Sequence, residues 1–154
     1  MDKKPNVLYV DDEEHNLIAF KAALRRKFKV FTAISAAEGL EILRNEGPFV
    51  VVVSDQRMPE TTGIEFFQQI KNEFPEPIRI LLTGYADINA VIDAINKGEV
   101  YRYLSKPWDE DHLVITLNSA IELFQLREEN KLLTEKLKRV NKQLEFLLRQ
   151  NLIS

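Results

Sequence analysis

Short apolar runs rich in β-branched residues alternate with stretches of helical period over the first two thirds of the chain. This is the pattern of a parallel sheet covered on both faces. The runs fall at residues 6–10, 29–33, 50–54, 78–82 and 101–104, and the amphipathic stretches between them at about 14–27, 36–45, 64–73 and 87–97, with a last one opening near Asp109. Gly47-Pro48, Pro75, Gly98 and Pro107 stand where helices should stop or begin. Proline lacks the donor that a helix interior needs, and glycine accepts left-handed dihedrals. Five βα units joined by right-handed crossovers predict an α/β fold, a doubly wound five-stranded parallel sheet whose ligands sit beyond the carboxyl ends of the strands. Chemistry is therefore sought just after each strand.

The last helical stretch breaks the pattern of lengths, because residues 109 to 150 contain neither proline nor glycine. Leu126, Leu133, Val140 and Leu147 recur every seven residues, and Asn130, Leu137, Leu144 and Asn151 form a second sevenfold series offset by four. Together they read as the d and a positions of a coiled coil. Charged residues such as Arg127, Glu128, Lys131, Glu135, Lys138 and Arg139 suit its solvated exterior. Asn130 at an a position favours a parallel homodimer, since its amide pairs only with the same residue of a partner in register. The e and g positions offer few opposite-charge pairs, so orientation would rest on Asn130. The expected organisation is a globular domain over residues 1–122 and a coiled-coil helix over 123–154; the alternative is a long amphipathic helix folded back onto the sheet.

Composition narrows the class. The 154 residues suffice for one domain and a modest appendage, and a hydrophobic fraction of 45% with 29% charged residues is that of an ordinary globular protein. A net charge of -3 with interspersed signs provides no footprint for nucleic acid or an anionic membrane. There is no cysteine, no apolar run long enough to span a bilayer, and no signal-peptide core after Met1-Asp2-Lys3-Lys4-Pro5. A cytoplasmic protein fits best.

The first apolar run leads directly into Asp11-Asp12-Glu13, and the third into Asp55. In a doubly wound sheet these two strands are neighbours, so three carboxylates crowd one edge and repel. An aspartate after a strand is by itself usually a helix cap or turn former; three converging ones call for a cation. Magnesium fits, since it takes one or two carboxylates, keeps water and completes its shell with phosphate oxygens. The fourth run ends in Thr83-Gly84 and the fifth in Ser105-Lys106-Pro107, adding a hydroxyl donor and an ammonium at the same edge. The set is an anion site facing a metal.

Four motifs in order, Val10-Asp11-Asp12-Glu13, Ser54-Asp55-Gln56-Arg57-Met58-Pro59 with Gly63, Leu82-Thr83-Gly84, and Tyr103-Leu104-Ser105-Lys106-Pro107, resemble the receiver domain of two-component response regulators. The wording of Asp55-Gln56-Arg57-Met58-Pro59, Thr83-Gly84-Tyr85-Ala86-Asp87 and Tyr101-Arg102-Tyr103-Leu104 is similar to receivers joined to NtrC-like activators or HD-GYP phosphodiesterases. The resemblance implies a flavodoxin-like sheet of order 2-1-3-4-5. It implies Asp55 as phosphoacceptor for a sensor histidine kinase, and Mg2+ held by Asp12, Asp55 and the main-chain carbonyl of Arg57, with Asp11 acting mainly through water. Lys106 would pair with the phosphoryl group and Thr83 would swing toward it, turning Tyr103 inward. A cis Lys106-Pro107 bond is also implied.

His15 and His112 read as solvated or capping residues and Trp108 as a packing residue, while Glu13 either supports the acidic pocket or marks a helix start. Arg57 and Tyr85 would flank the phosphorylation pocket. An aspartate-nucleophile phosphatase of the haloacid dehalogenase kind needs a second aspartate two residues after the first, where this chain has Arg57. A phosphorylation-independent dimerisation module is the remaining alternative, disfavoured because all the site residues are present. The heptads are still in phase at Asn151-Leu152-Ile153-Ser154, which points to a piece of a longer regulator.

Overall fold

The structure is a computed structural model that describes residues 3–84 and 88–153. Five strands, β1 (Asn6–Val10), β2 (Lys29–Ala33), β3 (Val51–Asp55), β4 (Ile78–Thr83) and β5 (Arg102–Ser105), alternate with α1 (Glu14–Leu24), α2 (Ala36–Glu46), α3 (Gly63–Ile70), α4 (Ile88–Asn96) and α5 (Glu110–Ile153). All strand pairs are parallel and the order is β2-β1-β3-β4-β5, the flavodoxin-like arrangement expected.

The pleat sorts side chains to two cores. Val7, Tyr9, Val51, Val53, Ile80 and Leu82 face α1 and α5, whose Phe20, Leu24, Leu113 and Leu117 close that side. Leu8, Val10, Val52 and Leu81 face α2, α3 and α4, where Phe66, Phe67, Ile70 and Val91 fill the space. Both faces of β3 are covered, which is why Val51-Val52-Val53 can be a continuous apolar run.

Several boundaries differ from those that periodicity predicts. β3 and β4 reach Asp55 and Thr83, because the ladder pairs Asp55 with Leu82 and Thr83 with Ser105. α1 stops at Leu24 rather than Lys27, where the Leu24 carbonyl accepts from both Lys27 and Phe28 and turns the chain into β2. α3 stops at Ile70 rather than Glu73, its start fixed by a Thr62–Glu65 capping box. Gly98 has φ +74, the left-handed conformation expected of a glycine after a helix. The expected helix start at Asp87, and Tyr85 beside it, lie outside the described residues.

α5 is one helix of 44 residues, about 66 Å long. Leu113, Leu117 and Ala120 are buried against the sheet, and Leu123 and Phe124 pack at its margin. Beyond them the helix leaves the domain, and Leu126, Leu137 and Leu144 are 59%, 60% and 52% exposed. A helix folded back onto the sheet is therefore not what the chain adopts.

Candidate functional site

The carboxyl ends of β1, β3, β4 and β5 bring Asp11, Asp12, Asp55, Thr83 and Lys106 to one edge. One oxygen from each of Asp11, Asp12 and Asp55 lies within 4.8 Å of the others. Lys106 spans two of them, its Nζ 3.0 Å from Asp11 Oδ2 and 3.1 Å from Asp55 Oδ1. Its main-chain N–H donates to the Thr83 carbonyl at 3.0 Å, which ties the β5 end to the β4 end. The bond from Lys106 to Pro107 is cis, as the resemblance implies.

Burial and hydrogen bonding treat the two buried aspartates differently. Asp11 is fully enclosed, yet its Oδ2 accepts from Tyr9 Oη at 2.5 Å, Lys106 Nζ at 3.0 Å and Asn16 Nδ2 at 3.1 Å, and its Oδ1 from the Glu13 N–H at 3.0 Å. Burial pushes its pKa up, but these donors outweigh burial and hold the carboxyl below its ordinary value. Asp55 is also buried, and the balance falls the other way. Desolvation raises its pKa, Lys106 opposes this, and the neighbouring Asp11 and Asp12 add to the rise. Lys106 loses hydration too, but its two carboxylate partners push its pKa up, so it stays an ammonium.

The β3–α3 loop is held close to Asp55. Gln56 accepts the Ile64 N–H on its side chain and the Gly63 N–H on its carbonyl, and its own N–H donates to Leu82. A Cβ on Gly63 would lie 2.5 Å from the Asp55 carbonyl oxygen and 2.7 Å from Leu81 Cδ1, so only glycine fits there.

Other expected residues sit further out. Arg57 is exposed two residues after Asp55. The Thr83 hydroxyl donates to the Gly84 carbonyl at 2.9 Å. Tyr103 is partly buried against the second core. The Glu13 backbone N–H donates to Asp11, while its carboxylate lies 3.2 Å from His15 and accepts at 3.3 Å from Asn16 Nδ2, the amide that also donates to Asp11. His112 is exposed, and Trp108 packs edge-on to Phe20. Tyr9 and Asn16 are site residues that the sequence reading missed. The available signal was Tyr9 lying two residues before Asp11, on the same side of β1.

Three hard oxygen donors and one ammonium leave two negative charges unmatched, a donor set that fits a small divalent cation. This acidic group and its lysine stand at the carboxyl edge of a doubly wound sheet, the place where ligands of that architecture bind. The family model described as response regulator receiver domain matches residues 7–118, and the chain belongs to that family. Receiver domains are signalling modules that bind Mg2+ at an acidic site and take phosphoryl groups from histidine kinases.

The chain is 40% identical over 121 residues to the hydrogenase transcriptional regulatory protein HoxA of Cupriavidus necator, covering 79% of this chain and 25% of that protein. It is 36% identical over 124 residues to the transcriptional regulatory protein GlrR of Escherichia coli, covering 79% and 28%. It thus spans about a quarter of the length of these relatives. Among solved structures, a response regulator receiver domain protein from Clostridium thermocellum superposes with a TM-score of 0.74 at 34% identity, covering 79% of this chain and 98% of that one. The signal receiver domain of an HD domain-containing protein from Pseudomonas fluorescens superposes with a TM-score of 0.76 at 33% identity, covering 84% and 95%. Among the described residues no helix is long and apolar enough to cross a membrane.

Proposed function

We propose that Asp55 is the phosphoacceptor of this receiver and that a sensor histidine kinase is the donor. The observation that carries this reading is the convergence of Asp11, Asp12 and Asp55 around a lysine bridging two of them. A carboxylate oxygen of Asp55 attacks the phosphorus of the phosphohistidine; the P–N bond breaks and the imidazole nitrogen keeps its electron pair. Asp12, Asp55 and the main-chain carbonyl of Arg57 would hold Mg2+, with Asp11 contributing mainly through water; when bound, the ion neutralises charge on the phosphoryl oxygens. Lys106 moves from its carboxylate partners onto the phosphoryl group as a point charge. Thr83 gives up the Gly84 carbonyl and donates to a phosphoryl oxygen, which makes room for Tyr103 to turn inward. The chain catalyses no reaction but its own phosphorylation and dephosphorylation.

The signal then passes to the root of α5. Residues 1–122 act as the receiver and 123–154 as a parallel homodimeric coil, supported by the exposed Leu126, Leu133, Leu137, Val140, Leu144 and Leu147 and by Asn130 at an a position. Repacking of the Tyr103 face alters the pairing or rotation of the coil, and an output beyond it responds. The mixed, mildly acidic charge supports a cytoplasmic module with no direct contact to nucleic acid through this stretch.

Intact-mass spectrometry after incubation with acetyl phosphate, with and without Mg2+, tests the reading on the wild type and on Asp55→Asn. The expected result is a Mg2+-dependent gain of one phosphoryl group that the variant lacks. A gain that survives in the variant would move the acceptor elsewhere.

A further inference from the structure

Of the four donors that fix Asp11, Tyr9 belongs to a packed aromatic unit. Tyr9 is fully buried, with its ring stacked on Phe20 at a centroid distance of 4.2 Å and an interplanar angle of 27°. Phe20 meets Trp108 edge-on at 6.2 Å, and Trp108 follows Lys106-Pro107 in the chain. The phenol that reaches Asp11 Oδ2 thus stands at one end of the column Tyr9–Phe20–Trp108, and the lysine that reaches the same oxygen lies two residues before the tryptophan at the other end. A ring clamped in this way cannot swing its hydroxyl elsewhere. Core packing alone would be met equally by phenylalanine, and a buried hydroxyl is tolerated only where it finds a partner.

Counting acceptor sites shows what the phenol does. A carboxylate has about four lone-pair positions, two on each oxygen. On Asp11, Oδ2 is crowded by Tyr9, Asn16 and Lys106, while Oδ1 receives only the Glu13 N–H. A cation or its bound water can therefore approach Asp11 only through Oδ1.

We propose that Tyr9 is a positioning residue of the phosphoacceptor centre: its hydroxyl pins the Asp11 carboxylate so that Oδ1 is presented to the cation while Oδ2 keeps Lys106 beside Asp55. This rests on the magnesium reading above. Without the hydroxyl, Asp11 loses the closest of its donors and the only one that is both neutral and locked in the core, and its presented oxygen is no longer fixed.

Mg2+ titration of the full chain tests this, followed by fluorescence of Trp108, the single tryptophan, and by calorimetry. Four proteins are compared: wild type, Tyr9→Phe, Asp11→Ala and the double variant. Phenylalanine keeps the ring and its stack on Phe20, so the fold is retained. The expected result is a saturable wild-type response and a half-saturating Mg2+ concentration about tenfold higher in Tyr9→Phe, the usual scale for loss of a residue that orients a metal ligand. In the Asp11→Ala background, Tyr9→Phe should add nothing, because the phenol acts only through that carboxylate. Tyr9→Phe titrating like wild type, or shifting the curve equally in both backgrounds, would overturn the inference and leave the magnesium reading standing. A wild type with no saturable response would remove both.

Discussion

Replacing Asp55 by asparagine removes one negative charge from a crowded edge without changing the side chain's shape. The nearest oxygens of Asp55 and each of Asp11 and Asp12 are at most 4.8 Å apart. At an effective dielectric constant of about 20, each such pair repels by at least about 3.5 kcal/mol, or about 7 kcal/mol for the two. The Lys106 ammonium at 3.1 Å offsets about 5 kcal/mol of this on the same scale. The balance of about 2 kcal/mol opposes ionised Asp55 in metal-free protein, and its burial acts in the same direction. Asp55→Asn should therefore stabilise the fold in EDTA by about 2 kcal/mol, a rise in Tm of about 4–8 °C for a chain of this size. Because the Asp55 pKa is raised on folding, its favourable contribution is complete below the unfolded carboxyl value and is lost as pH rises through the folded one. The gap between variant and wild type should accordingly narrow as pH falls toward about 4. Saturating Mg2+ should close or reverse the gap at neutral pH, since a ligand at a hundred times its Kd adds about 2.7 kcal/mol to the protein that binds it. Thermal melts followed by circular dichroism, in EDTA and in Mg2+, measure all three effects. An Asp55→Asn variant that melts at or below the wild type in EDTA would refute the electrostatic account of the site.

Thr116 carries a fully buried hydroxyl with no hydrogen-bond partner among the described residues, so Thr116→Val should stabilise the domain by about 1 kcal/mol, read as an increased denaturant midpoint. Gly63→Ala drives a methyl group into the Asp55 carbonyl and Leu81; a loss of about 1–3 kcal/mol and slower phosphorylation of Asp55 by acetyl phosphate are expected. Asn130→Val should tighten association through α5 while broadening the oligomer distribution, which sedimentation velocity would resolve. Breaking the exposed Arg44–Glu73 pair at 2.8 Å should leave the midpoint of a urea melt nearly unchanged, because solvent screens it.

The five βα units and the long terminal helix were legible in the sequence because they rest on local periodicity and on punctuation by glycine and proline, whereas the strand order followed only from the resemblance that the site motifs carry. The acidic trio and Lys106 were legible for a related reason. In a parallel sheet every strand end falls on one edge, so a residue's place in its own strand already assigns it to the site. What the chain alone left open depends on neighbours distant in sequence. The last residues of β3 and β4 were decided by ladders to adjacent strands, and the ends of α1 and α3 by turns that carry Phe28 and Phe74 back toward the body. Asp11 and Asp55 look alike as strand-end aspartates. Only the folded chain gives one of them four donors and leaves the other leaning on Lys106, 51 residues away in sequence. Tyr9 read as one more apolar strand position, since a phenol and a phenyl ring fill a core alike. Its role became visible with the Asp11 carboxylate at its hydroxyl and the ring clamped by Phe20, because hydrogen bonding in a buried site depends on direction, which a one-dimensional pattern does not carry.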